Sequence, residues 1–130
     1  MSEPSPVSLK IRLRHGDLYA MGPGKADLLE AIGATRSIAA AGRKLGLSYW
    51  KTRHLLEEMN QSFRQPVVTA AKGGEKGGGA EVTETGLAAL ARFRAMEAAA
   101  GAAIAGEVAA FQDLLAPLGP EGPSGKPEPR

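Results

Sequence analysis

The period of the hydrophobic positions changes several times along the chain, and each change marks an element. From Val7 to Arg14 apolar and polar residues alternate strictly: Val7, Leu9, Ile11 and Leu13 against Ser8, Lys10, Arg12 and Arg14. A period of two puts the apolar set on one face and predicts a half-buried strand over 7–14. His15-Gly16-Asp17 is turn chemistry, and Leu18 to Met21 reads as a short return strand. Gly22-Pro23-Gly24 breaks that unit. Leu28, Leu29 and Ile32 then fall at helical spacing and predict a helix over 25–32, with Gly33 as its C-cap. Ser37 is a suitable N-cap for a second helix that runs to Gly46, and Ser48 for a third from Tyr49 to Phe63.

The third helix has two distinct sides. At about 100° per residue, Thr52, Leu56, Met59 and Phe63 form an apolar stripe, while Trp50 and His54 lie opposite, flanked by Lys51, Arg53 and Glu57. Pro66 stops the helix. Two short β-type runs, 67–71 and 80–83, are joined by the Gly-rich loop KGGEKGGG and read as a hairpin. Thr83 caps a long Ala-rich helix expected over 84–115, with Leu90, Phe93, Ala100, Ile104, Val108, Phe111 and Leu115 stepping mostly by three or four. Pro117 ends it. The lead 1–6 and the Pro/Gly-rich tail 117–130 are expected to be disordered. The fold class expected is mainly α with small β.

At 130 residues the chain is long enough for one domain, here 7–83 followed by the long helix 84–116. The absence of Cys excludes a disulfide framework, a thiolate metal site and a Cys nucleophile. No run of about 18 apolar residues is present and the start has no secretory pattern, so a cytoplasmic protein is expected. The formal net charge is only +2, but it is polarised. Between Ala31 and Leu56 stand Arg36, Arg43, Lys44, Lys51 and Arg53 with no acidic residue, and the hairpin region adds Arg64, Lys72 and Lys76 against Glu75. The last helix and its end carry Glu84, Glu97, Glu107, Asp113 and Glu121 against Arg92 and Arg94. A local positive field of this kind suits duplex DNA, because each cation set on a phosphate releases condensed counterions.

Two short helices joined by a Gly-containing turn suggest a helix-turn-helix, and a Gly-rich hairpin directly after them suggests a winged variant. The stretch from Leu28 to Phe63, and then PVVTAAKGGEKGGGAEVTETG, resembles the DNA-binding half of the molybdate-responsive ModE-type repressors; more distantly the helices resemble LysR-type regulators. The most specific pieces are GLSY, EEMN and the paired glycine clusters ahead of V-T-x-x-G. The resemblance covers about residues 7–115. It implies a winged helix-turn-helix, a homodimer held by the long final helix, and repression of molybdate-uptake operons. The family's sensing members carry small β-barrel domains after that helix, and this sequence is expected to lack them. The family also commonly has Lys directly after the Ser-Tyr pair, where this chain has Trp50 and then Lys51, so base specificity does not carry over.

The candidate DNA-binding residues are Ser37, Ser48, Tyr49, Trp50, Lys51, Arg53, His54, Lys72 and Lys76. Ser37 and Ser48 either cap their helices only or also present exposed helix N-termini to phosphate. Lys51 and Arg53 have the donors to reach guanine O6 and N7, or are plain surface charge. Trp50 either packs on a sugar or thymine methyl or folds back over the turn. Tyr49 reads as a core-edge residue offering its hydroxyl to a phosphate, and His54 as a surface residue without a metal role. Leu90, Phe93, Ile104, Val108 and Phe111 are the candidate dimer seam. No catalytic residue, metal site or certain cofactor is expected, since no acid/base pair is placed by spacing and the glycine cluster matches no nucleotide loop. Molybdate or tungstate is kept as an effector. The competing reading is a small oxyanion-binding protein that uses helix N-termini or the dimer interface.

Overall fold

The structure is a computed structural model that describes residues 7–71 and 79–118. Its element order is β1 (Leu13–His15), β2 (Leu18–Met21), α1 (Pro23–Thr35), α2 (Ile38–Lys44), α3 (Tyr49–Ser62), β3 (Val68–Ala70), β4 (Ala80–Val82) and α4 (Glu84–Gln112). The class is mainly α with small β. The two sheets are separate antiparallel hairpins, β1–β2 and β3–β4.

The core lies where α1 meets everything else. Leu28, Leu29 and Ile32 of α1 are fully buried, and against them pack Met21, Ala41, Leu56, Met59, Val67, Val68, Ala80 and Phe93. Ser37 and Ser48 cap α2 and α3 as expected, each hydroxyl accepting a backbone N–H three residues on, from Ala40 and Lys51, at 3.0 Å. Thr83 does the same for α4, accepting from Gly86 N–H while donating to Pro66 O. Between α2 and α3 the chain turns through Gly46 at φ +74°, a left-handed conformation that a Cβ disfavours. The two helices touch so closely that a Cβ on Gly42 would sit 2.2 Å from Thr52 Oγ1. Gly42 therefore sets how deeply α3 seats on α2.

Three expectations change. The alternating run 7–14 predicted a longer strand; pairing begins only at Leu13, because β2 has four residues before Pro23 opens α1. Leu9 and Leu13 stay exposed, and Val7, Ser8 and Leu9 instead border a cleft beside Gly101, Ile104 and Val108 of α4. Gly33 is not a C-cap. Helix α1 continues to Thr35, and Arg36 takes the left-handed position at φ 58°. Arg36 is held there from both sides: its N–H donates to Ile32 O, and its carbonyl accepts Ala80 N–H from β4 at 3.0 Å. Helix α4 stops at Gln112 rather than Leu115, where tighter turn bonds from Leu114 N–H to Phe111 O and from Leu115 N–H to Gln112 O replace the helical ladder.

Candidate nucleic-acid interface

Helix α3 presents its first turn to solvent. Capping by Ser48 fixes where that turn begins, so the stripe Thr52, Leu56 and Met59 faces inward and Trp50 faces out, 79% exposed. Tyr49 is about half exposed and stands edge-on to the Trp50 ring, with centroids 5.6 Å apart. Trp50 therefore leans on its neighbour in sequence and leaves its remaining surface open. Lys51 is exposed and Arg53 half-buried. Helix α2 meets α3 where Gly42 packs on Thr52; Arg43 and Lys44, which follow Gly42, are exposed, as is Arg36 just ahead of the Ser37 cap of α2.

The charges here are largely free of carboxylates. Among the described residues, Arg36, Arg43, Lys44 and Lys51 form no ion pair, and Arg53 has only a loose i,i+4 approach of 3.9 Å to exposed Glu57. Such an exposed pair is worth only tenths of a kcal/mol to about 1 kcal/mol. His54 is engaged differently. Its Nε2 lies 3.1 Å from Glu58, whose other oxygen is 2.9 Å from the buried Lys25 ammonium. Lys25 Nζ also donates to Tyr19 O on β2. The hydrogen bond from Lys25, then the charges of Lys25 and His54, hold the Glu58 carboxyl below its ordinary pKa against the opposing effect of burial. Nothing in the sequence marks Lys25 for this role, and Glu58 stands out there only as part of EEMN, although the His54/Glu58 spacing of four residues is a readable signal.

The hairpin β3–β4 is fastened to the other flank of α3 by Asn60. Its Oδ1 accepts Val67 N–H at 2.7 Å and its Nδ2 reaches Val68 O at 3.5 Å. The strands pair Val68 with Val82, Thr69 with Glu81 and Ala70 with Ala80. Their ladder is extended by Thr83 N–H to Val67 O and Ala71 N–H to Gly79 O, both 3.0 Å. Lys72 and Lys76, the loop's expected phosphate-binding residues, lie outside the described residues. The stretch EEMN thus has four separate duties: Glu57 on the surface beside Arg53, Glu58 on Lys25, Met59 in the core, and Asn60 on the hairpin.

Helix α4 divides its apolar stripe. Phe93 is 1% exposed and Leu90 packs against the core, so both serve the chain's own interior; the expectation that Phe93 lines a seam between chains is corrected by that burial. Ile104 and Val108 are half-buried, and Phe111 is 55% exposed. Between these segments Arg94 ties α4 to α1, reaching Asp27 at 2.8 Å, Glu30 at 3.1 Å and Glu97 at 3.0 Å. Those hydrogen bonds raise its already high pKa further. Among the described residues no three His, Asp or Glu converge on a position that would hold a metal ion, and no helix is long and apolar enough to cross a membrane.

No family model matches the chain. It is 47% identical over 78 residues to the molybdenum-pterin-binding protein MopB of Rhodobacter capsulatus, a match covering 60% of this chain and 29% of that protein. It is 39% identical over 94 residues to MopA of the same organism, also a molybdenum-pterin-binding protein, covering 72% of this chain and 36% of MopA. With the molybdenum transport protein ModE of Azotobacter vinelandii it shares 31% identity over 107 residues, 74% of this chain and 40% of ModE. The chain is thus related to proteins named for molybdenum binding or transport, and spans well under half of their length.

Proposed function

We propose that the chain is a sequence-specific DNA-binding regulator of the winged helix-turn-helix type, working as a repressor linked to molybdate or tungstate uptake. The observation that carries this reading is the exposed first turn of α3, where Trp50 and Lys51 project beside cations that form no ion pair with the described carboxylates. A helix of this type enters the major groove by its N-terminal end. Lys51 and Arg53 would then meet base edges or phosphates, and Trp50 offers a large apolar face to a thymine methyl. The hairpin β3–β4 would serve as the wing. Its attachment through Asn60 and the Arg36 carbonyl keeps it at a set distance from α3.

A homodimer follows from the same reading, because one α3 covers one half-site and two-fold pairing places two of them on one face of the duplex. The far part of α4 and the residues just after it suit that role: Phe111, and beyond the helix Leu114, Leu115 and Leu118, are all at least 45% exposed, continuing from half-buried Ile104 and Val108. Selection from a pool of random duplexes is the test. It should enrich a two-fold symmetric motif with half-sites about 34 Å apart. A pool that enriches no motif contradicts sequence-specific binding. Sedimentation of Phe111→Asp, expected to be a folded monomer beside a dimeric parent, tests the seam.

The molybdate link rests on the names of the relatives. Those names also favour a second reading, in which the chain itself holds the oxyanion. Calorimetry with molybdate separates the two. Heat of binding to the chain alone supports the second, whereas its absence with intact DNA binding leaves the first.

A further inference from the structure

Helix α3 is held between two hairpins, and only one of them belongs to the DNA reading so far. At about 100° per residue, Asn60 and Glu58 project roughly 160° apart around α3. Asn60 holds β3, while Glu58 reaches β2 through Lys25 and the Tyr19 carbonyl. The outward residues Trp50 and His54 lie on the arc between those flanks. The hairpin β1–β2 therefore borders the open face of α3 on the side away from β3–β4, and His54, Glu58, Lys25 and Tyr19 form the continuous chain of interactions that sets its place.

The surface of that hairpin is cationic. Arg14 is exposed on β1, and Lys10 and Arg12 just ahead of it, with Asp17 at the turn as the one acid between residues 7 and 21. Both arginines are held in position. The Arg12 guanidinium lies over the Tyr19 ring at 4.3 Å and its stem crosses Gly22, where a Cβ would sit 2.9 Å from Arg12 Cγ. The Arg14 guanidinium is 5.9 Å from the same ring, and its Nε donates to Gly16 O. Neither forms an ion pair among the described residues. The neighbouring Glu58 carboxylate is already paired with the Lys25 ammonium, and its other oxygen lies beside His54. Two guanidiniums gathered at one aromatic ring, Arg12 over it and Arg14 near it and bonded to Gly16 O, have given up part of their side-chain freedom, an arrangement suited to phosphate oxygens.

We propose that the β1–β2 hairpin is a second DNA-backbone contact, with Arg12 and Arg14, held at Tyr19, gripping phosphates on the side of α3 opposite the β3–β4 hairpin. This rests on the reading that α3 enters the groove. Because phosphate contacts carry no base information, the full chain is titrated against mixed-sequence duplexes, one short and one with long flanks, over a range of salt. In the paired substitution Arg12→Gln with Arg14→Gln, the slope of log K against log salt should become shallower by about two per bound chain. The parent's gain in affinity on the long duplex should shrink with it. The pair Arg12→Lys with Arg14→Lys should keep most of the slope, since an ammonium also neutralises a phosphate, whereas a purely structural role at Tyr19 would not be rescued. A parent chain that binds no duplex overturns the groove reading and this proposal together. A parent that binds, beside a Gln variant with the same slope and flank dependence, overturns this proposal alone.

Discussion

The chain uses its arginines and lysines in two ways. At the joint of α1 and α4, Arg94 is encircled by Asp27, Glu30 and Glu97 within 3.1 Å. On α2, at its entry and in the first turn of α3, Arg36, Arg43, Lys44 and Lys51 stand exposed with no ion pair among the described residues. The first arrangement neutralises the charge inside the molecule, locking one helix on another. The second leaves it facing outward, with mutual repulsion that an anionic partner would relieve. Cations that serve the fold can thus be told apart by what surrounds them from cations left open to solvent, even though the net charge of the whole chain is only +2.

The two classes should separate under mutation. The largest effect is expected for Lys51→Ala with Arg53→Ala: duplex affinity should fall by about 1–3 kcal/mol for each side chain that meets a base edge or phosphate, with the melting temperature little changed. Fluorescence anisotropy and thermal unfolding on the same samples check both halves; an equal loss of stability would move these residues into the structural class. Next comes Arg94→Ala, which leaves three carboxylates facing one another. Solvent screening limits the cost to about 1 kcal/mol of folding stability, with the salt dependence of DNA binding unchanged. A urea titration showing no destabilisation would break the contrast from the other side.

The smallest effect sharpens the boundary between the classes, at Glu58. Its carboxyl is held low in the folded chain by Lys25 and then His54. A folded pKa below the unfolded one adds stability above the ordinary carboxylate range, which is lost as pH falls through the depressed value. Glu58→Gln should therefore be less stable than the parent at neutral pH and lose less on acidification. The check is melting temperature followed from neutral pH down through the carboxylate range. Parallel curves would mean that the Lys25 ion pair contributes nothing in solution.

Local chemistry explains which parts of this architecture could be read without coordinates. The caps Ser37, Ser48 and Thr83 act within three residues, and the stripe Thr52, Leu56 and Met59 obeys one helical period, so each was legible. The outward position of Trp50 follows from the same period. What failed depended on distant partners. The alternation over 7–14 is genuine, but β2 is too short to pair with all of it. Gly33 looked like a helix stop, yet Ala80 of β4 stabilises a left-handed turn three residues later, at Arg36. Phe93 and Phe111 occupy the same stripe of α4 and differ only in what lies opposite, core for one and solvent for the other. Lys25 and Arg94 are ordinary surface residues in the sequence; interactions across 33 residues to Glu58 and across 67 to Asp27 make them structural.

The central claim is that the cations around α3 meet phosphate, and the salt dependence of duplex binding tests it most directly. If six to eight phosphates are neutralised per dimer, log K for the parent chain should fall with log salt at a slope of roughly −5 to −7. A parent chain whose duplex affinity is flat across the same salt range would contradict the account.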